Sequence, residues 1–207
     1  DKTKKPEETS MYTVIGMPQT RAMRVIWMLE ELEQPYDIVP APPRSEEIKA
    51  ANGTGKVPAM KVGDDILTDS FAIVTFLADR HGAFTAPAGS VDRAIQDSHL
   101  HFIAEEMDAP LWTASKNSFI YPEGMRVKEI KPVVKFEYDQ AVARLSKRLG
   151  SSDYLMGDTF SVPDIFAVHC LNWGRAAKFD VTDETVLAYS KRCRARPAFR
   201  RAAATAS

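Results

Sequence analysis

The sequence predicts a small mixed α/β domain followed by an all-helical one. Three observations carry this. Residues 12–77 alternate short apolar runs with amphipathic stretches in the order βαβαββα, the strand pair at 57–68 runs directly into a helix start at Asp69-Ser70, and from residue 91 onward only helical periodicity occurs. Such alternation implies a small mixed sheet covered by helices, with a second layer system after it.

Residues 1–10, DKTKKPEETS, are charged, lack apolar periodicity and read as a flexible tail, so the fold is expected to begin near Met11. Residues 12–16 form a short apolar strand that leads to Pro18. Met23, Val25, Ile26, Met28, Leu29 and Leu32 then make a helical stripe. Gln34-Pro35 ends it, because the residue before a proline is pushed out of helical geometry. Residues 36–39 read as a second strand, and a proline-rich turn with a short helix fills 40–51. The runs 57–62 and 66–68, separated by Gly63-Asp64-Asp65, form a hairpin. Behind Asp69-Ser70, Ile73, Val74, Phe76 and Leu77 recur at helical spacing. Residues 83–90 read as a linker, which gives 11–82 for the first domain and 91–207 for the second, with helices expected over about 91–116, 123–149, 163–177, 185–194 and 197–204.

Ser161-Val162-Pro163-Asp164 has the form of a capping box, with serine at the N-cap, proline just inside the helix and an acid three positions on, while Phe160 can staple against Ile165 or Phe166. It is read as structural rather than catalytic.

Composition narrows the function classes. With 207 residues, 44% of them hydrophobic, the chain can bury a sizeable core. Its 27 basic and 28 acidic residues leave a net charge of -1, which gives no electrostatic reason to expect nucleic acid or an anionic membrane as partner. No apolar run approaches the ~20 residues of a membrane span and the start is polar, so a soluble protein is expected. Cys170 and Cys193 are too few for a disulfide framework, and Cys170, within IFAVHCLNW, reads as a small core residue; a reducing cytoplasm is the expected setting. His99 and His101 have no acid pair or nearby histidine to complete a metal site, so no metal is expected. Lys191-Arg192 and Arg200-Arg201 read as solvated faces of the last helices.

The frame AANGTGKVPAMKVGDDILTDSFAIVTFL carries the most specific chemistry. Pro58 has no N–H to donate. A cis bond at Val57-Pro58 would turn the Val57 N–H and C=O away from the sheet, towards an extended peptide; a trans bond would leave an ordinary edge strand. Ser70, with the first N–H groups of the following helix, makes a carboxylate site that the helix dipole favours, or else Asp69 and Ser70 simply cap that helix. The ligand suited to both halves is a small peptide with an anionic end.

GTGKVPAM with LTDSFAIVTFL resembles the glutathione-binding half of the cytosolic glutathione transferases. PQTRAMRVIWMLEELEQPYD resembles their first helix and second strand, and GDTFSVPDIF extends the likeness through the C-terminal half, so that it covers nearly the whole chain after residue 11. The resemblance implies a thioredoxin-like first domain and a helical second domain that contributes the second-substrate site. Carried over by position, Val57 beside Pro58 pairs with the cysteinyl backbone, Asp69 and Ser70 hold the γ-glutamyl amine and carboxylate, and Lys56 meets the glycyl carboxylate. Asp69 is one methylene shorter than the glutamate or glutamine common at that position.

Thiol activation is the central question. A thiol resembling free cysteine has a pKa near 8.5, and lowering it by about two units requires about 2.7 kcal/mol of preferential thiolate stabilisation. Serine-type members, theta-like or bacterial, place a serine before an arginine-valine pair. Here Thr20 occupies that place ahead of Arg24-Val25, while the tyrosine classes' position corresponds to Gly16. Thr20 is the candidate donor and equally a good helix cap, and Gln19 or Arg21 can also approach the sulfur.

In the resembled fold the first long helix of the second domain borders the open side of the thiol, which makes His99, Phe102 and Trp112 candidate second-substrate contacts, although aromatics at helical spacing also build cores. The resemblance implies a glutathione S-transferase, with glutathione as co-substrate, that conjugates small hydrophobic electrophiles as a homodimer. Glutathione-dependent peroxidase or isomerase chemistry and a non-catalytic glutathione-binding scaffold are the alternatives.

Overall fold

Short apolar runs in the first third of the chain form strands in the computed structural model, which describes residues 11–206. The tail expected over residues 1–10 lies outside that range. Strand β1 (Tyr12–Ile15) pairs in parallel with β2 (Tyr36–Val39) and antiparallel with β3 (Ala59–Val62), which in turn pairs antiparallel with β4 (Asp65–Thr68), giving the order β2-β1-β3-β4. Helices α1 (Ala22–Glu31), α2 (Glu46–Asn52) and α3 (Ser70–His81) complete the βαβαββα order that the patterning predicts. The strands start or end within two residues of their expected limits, the largest shift being at β3. That strand begins at Ala59 because Pro58, lacking an N–H, cannot enter the ladder.

Helix α1 buries Val25, Ile26, Trp27, Met28 and Leu29, and Ile15, Ala41, Ile48 and Ala59 form a cluster against which Val57 and Ile66 pack. By contacts the chain divides into two units, one running up to Leu77 and including the segment from Arg201, the other Ala78–Arg200. Within the first unit the C-terminal segment is fastened by side chains. Arg201 Nε donates to Glu30 Oε2 at 2.6 Å and its Nη2 to the Glu30 carbonyl at 2.9 Å, while Gln19 Nε2 donates to the Ala206 carbonyl at 2.9 Å. Burial and a 2.6 Å bond to Glu30 push the Tyr36 hydroxyl's pKa well up.

The second unit is helical: α4 (Val91–Phe102), α5 (Ala109–Ser115), α6 (Ile130–Leu149), α7 (Val162–Ala176), α8 (Glu184–Arg194) and α9 (Pro197–Ala204), the last of which runs across the division at Arg201. Residues 83–90, expected as a linker, are pinned to α4. Ala86 N–H donates to Gln96 Oε1 at 2.8 Å, Gln96 Nε2 to Thr85 Oγ1 at 3.1 Å, and the Ser90 hydroxyl caps Arg93 N–H. The single helix expected over 91–116 is instead interrupted by a π-helical turn at Ile103–Asp108, with a second π turn at Lys116–Ile120. Pro110 explains the first, because its ring excludes the bond that an α-helix would direct to the carbonyl four residues back. At the second, Asn117 and Ser118 side chains take the Thr113 and Ala114 carbonyls. Helix α6 starts at Ile130 rather than 123, behind a 3-10 turn at Glu123–Met125, and so holds Pro132 in its first turn, where a proline is tolerated. Gly174 of α7 lies against the ring and hydroxyl of Tyr138, where any side chain would collide. Among the described residues, no helix is long and apolar enough to cross a membrane and no cluster of ligating side chains suits a metal.

Asp164 organises this unit. The capping box at the start of α7 is present, and the carboxylate, 0% exposed, also accepts from Leu155 N–H at 3.0 Å and the Tyr189 hydroxyl at 2.7 Å. Phe160 packs edge-on against Phe84 and Tyr154 beneath the Arg196 guanidinium. Desolvation outweighs the hydrogen bonds and pushes the Asp164 pKa from 3.8 up to about 6. The folded chain then holds this proton more tightly than the unfolded one, so the carboxyl's contribution to stability is full below pH 3.8 and is lost as pH rises through about 6. Accordingly, Asp164→Ala should destabilise by about 3 kcal/mol in denaturant unfolding, since it strands buried donors. The melting-temperature advantage of the wild type over Asp164→Asn should shrink between about pH 4 and 7; an advantage that grows would place the pKa on the other side of normal.

Candidate active site

Strand register brings three separated segments to one end of the sheet. Ile15 pairs with Ala59, and Ala59 pairs on its other side with Thr68. The next residues along the three chains are Gly16, Pro58 and Asp69. From that line emerge the loop to Thr20, the Lys56-Val57-Pro58 turn and the Asp69-Ser70 start of α3.

Gly16 sits where only glycine fits. Its φ is +153°, and an added Cβ would stand 3.2 Å from Ala22 Cβ, 3.4 Å from Val57 Cβ and 3.6 Å from Pro58 Cα. The tight approach seats the α1 entry against the Val57 turn. Thr20 follows in that entry, half-buried. Its Oγ1 donates to the Met17 carbonyl at 2.7 Å and accepts from Ala22 N–H at 3.2 Å, so the hydroxyl ties the preceding turn to the first N–H of α1, one residue ahead of the N-cap Arg21.

The Val57-Pro58 peptide is cis. Among the described residues, no hydrogen-bond partner takes the Val57 N–H or C=O. Lys56 is held through its backbone, its carbonyl accepting from Asn52 Nδ2 at 2.7 Å and its N–H donating to Thr54 Oγ1 at 3.3 Å. The Asn52 Oδ1 also gathers the N–H groups of Thr54 and Gly55 at 3.0 Å each. A rigid turn thus carries an exposed Lys56 side chain.

Asp69 and Ser70 divide their tasks. Asp69 is exposed, at φ +69°, and its Oδ1 caps α3 by accepting from Phe71 N–H at 2.8 Å and Ala72 N–H at 3.3 Å. Ser70 is 3% exposed and its Oγ accepts from Arg24 Nη1 at 3.1 Å. Arg24 is itself 0% exposed, with its guanidinium over the Phe71 ring at 5.3 Å. Sequence reasoning used Arg24 only to align Thr20. The available signal was a charge standing one turn ahead of Trp27 and Met28 in an otherwise apolar stripe.

The second-substrate candidates lie on α4 and α5. His99 and Phe102 of α4 are 7% and 5% exposed and both lie against Arg148 of α6, its guanidinium 4.4 Å from the Phe102 ring centre and its Nη1 3.4 Å from His99 Nδ1. Burial, then the Arg148 charge, lowers the His99 pKa. Such packing leaves these two little surface for a ligand. Trp112 of α5 is half-buried, with the Lys116 ammonium 6.0 Å over its ring.

The family model for the glutathione S-transferase N-terminal domain matches residues 15–87, and that for the C-terminal domain matches residues 107–197. The chain is 27% identical to glutathione S-transferase 1 of Manduca sexta over 167 residues, which cover 77% of this chain and 74% of that protein. It is 30% identical to glutathione S-transferase theta-2B of Homo sapiens over 140 residues, which cover 64% of this chain and 56% of that protein. Among solved structures, the theta class glutathione S-transferase of Xanthomonas axonopodis pv. citri with glutathione bound superposes with a TM-score of 0.78 at 21% identity, covering 93% of this chain and 97% of that one.

The capping geometry has a direct consequence. Asp69→Ala should lower unfolding free energy by about 1–2 kcal/mol, since it removes the cap and leaves a Cβ at positive φ, whereas Asp69→Asn should cost less than half as much. Equal losses in chemical denaturation would mean that the side chain does not cap α3.

Proposed function

Because the chain belongs to the glutathione S-transferase family and has that family's enzymatic function, with glutathione as co-substrate, we propose that glutathione lies across the end of the sheet where Gly16, Pro58 and Asp69 leave it. The observation that carries this is the register around Ala59, which sets a backbone N–H and C=O at Val57 beside a helix start at Ser70. The cysteinyl backbone pairs with Val57 as an added strand would. The γ-glutamyl carboxylate takes the Ser70 hydroxyl and the N-terminus of α3, a 12-residue helix. Asp69 meets the γ-glutamyl amine, and Lys56 the glycyl carboxylate.

In this reading Thr20 turns its hydroxyl proton from the Met17 carbonyl to the glutathione sulfur. The exchange gives up a neutral hydrogen bond of about 1 kcal/mol for a charge-assisted one of about 1.5–3 kcal/mol. Ala22 N–H continues to bond the oxygen throughout. Adding about 0.3–1 kcal/mol from the α1 dipole leaves roughly 1–3 kcal/mol in favour of thiolate, enough to bring the bound thiol from about 8.5 to about 7. The thiolate then attacks a small hydrophobic electrophile; the sulfur–carbon bond forms as the leaving group departs with its electron pair, or as a strained ring or activated double bond opens.

Two experiments test this reading. With glutathione bound, Thr20→Ala and Thr20→Val should keep affinity but raise the thiol pKa, read from ultraviolet thiolate absorbance against pH, and lower turnover about ten-fold or more at neutral pH. A thiolate signal unchanged in both variants removes Thr20 from the mechanism. The family resemblance also supports a cytoplasmic homodimer, and sedimentation velocity showing only monomer at every concentration would overturn the dimer.

A further inference from the structure

Asn52-Gly53 is the one asparagine-glycine step in the sequence; the other two asparagines, Asn117 and Asn172, precede Ser118 and Trp173. Asparagine is among the thermolabile residues, and most so before glycine, where no side chain shields the following nitrogen. The step closes α2, with Gly53 in the left-handed conformation at φ +68°. A Cβ added there would meet nothing within 4 Å, so glycine serves the backbone conformation and not packing. Asn52 Oδ1 accepts three hydrogen bonds, from Thr54 N–H at 3.0 Å, Gly55 N–H at 3.0 Å and Thr54 Oγ1 at 3.1 Å. Its Nδ2 donates to the Lys56 carbonyl at 2.7 Å. These bonds fold the side chain back over the Gly53 peptide. Three donors on one carbonyl oxygen also draw charge from Cγ, as donors aimed at a developing oxyanion do. What restrains the Gly53 nitrogen is its bond to the Lys49 carbonyl at 2.7 Å, the closing bond of a seven-residue helix in which Lys49, Ala50 and Gly53 are exposed. Bonds at such an end open locally at small cost.

We propose that Asn52 is a self-modifying site: its amide cyclises onto the Gly53 nitrogen when the last turn of α2 opens, and the product no longer holds the Lys56-Val57 turn in its binding geometry. The Gly53 nitrogen gives its proton to solvent and attacks Asn52 Cγ. A nitrogen–carbon bond closes a five-membered imide as the Cγ–Nδ2 bond breaks, and the nitrogen leaves as ammonia after taking one proton from solvent. Water then adds to one of the two imide carbonyls and opens the ring, giving aspartate or, through the side-chain carbon, isoaspartate. One water is consumed and one ammonia released, with no oxidation or reduction. Aspartate sets an acceptor oxygen where Nδ2 donated to the Lys56 carbonyl, so a hydrogen bond becomes a repulsion. Isoaspartate instead lengthens the main chain ahead of Gly53 by one methylene. Both place a negative charge beside Lys56, in competition with the glycyl carboxylate. The effect on binding rests on the glutathione site proposed above; the chemistry at Asn52 does not.

Ageing the folded chain in warm, mildly alkaline buffer tests it. Peptide mass spectrometry at intervals follows all three asparagines at once, and calorimetry measures glutathione affinity of the separated forms. Asn52 should convert at least about ten-fold faster than Asn117 and Asn172, and Gly53→Ala should slow it about ten-fold or more. The converted chain, and separately Asn52→Asp, should each bind glutathione about ten-fold more weakly than the fresh wild type. Conversion at Asn52 no faster than at the other two, or unaltered by Gly53→Ala, would overturn the modification site. Unchanged affinity in the converted chain would overturn its hold on the binding turn. A fresh wild-type chain that binds no glutathione would overturn the glutathione site itself, while the conversion rates would still decide the chemistry at Asn52.

Discussion

Everything at the candidate-site end of the first unit hangs on Ala59, the β3 residue at that end of the ladder, paired on one side with Ile15 and on the other with Thr68. Side chains alternate across a strand, so a slip of one residue in either ladder would carry every β3 side chain to the opposite face. Both faces are packed at this end, where the consecutive Ala59 and Met60 point to opposite sides and are both fully buried, as is Val14 of β1. Core packing therefore sets the register, and the register sets which residues of three distant segments emerge together. The site has no element of its own; it is the rim of a sheet whose interior has been fixed for other reasons.

At that rim nearly every polar group has a structural task. Thr20 bonds the first N–H of α1, Asp69 caps α3, Asn52 ties the turn before Val57, and Ser70 receives Arg24. In the proposed site, binding groups and fold-maintaining groups are the same atoms. A ligand bound as proposed either uses what the local bonds leave over, at the Ser70 hydroxyl and the Val57 backbone, or exchanges one bond for a stronger one, at Thr20. The magnitudes allow the exchange because an ionic partner roughly doubles the strength of a hydrogen bond.

The legible parts of the chain were those with short-range causes. The βαβαββα order follows from apolar spacing and from proline and glycine punctuation, and the capping box at Ser161 and Asp164 was visible because its residues are three apart. Long-range causes were not legible. Nothing local announces that Arg148 packs on His99 and Phe102 across 46 to 49 residues of sequence. The π turns were missed for a different reason. Helical periodicity reports a face, and a one-residue shift at Pro110 alters that face too little to break the pattern. Arg24 falls between these cases: its placement in an apolar stripe is readable, but its bond to Ser70 spans 46 residues.

The crowding at Gly16 bears on how such sites change over generations. A Cβ there would crowd Ala22 at 3.2 Å and leave no space before Val57 and Pro58, and the backbone is already in a region that side chains rarely adopt. A phenol at this position is therefore not one mutational step away but several, since the local backbone and the α1 entry at Ala22 would both have to move first. An aliphatic hydroxyl in the following loop meets no such barrier. Threonine and serine there are neighbours in sequence space, whereas the tyrosine solution lies across a valley of backbones that do not pack.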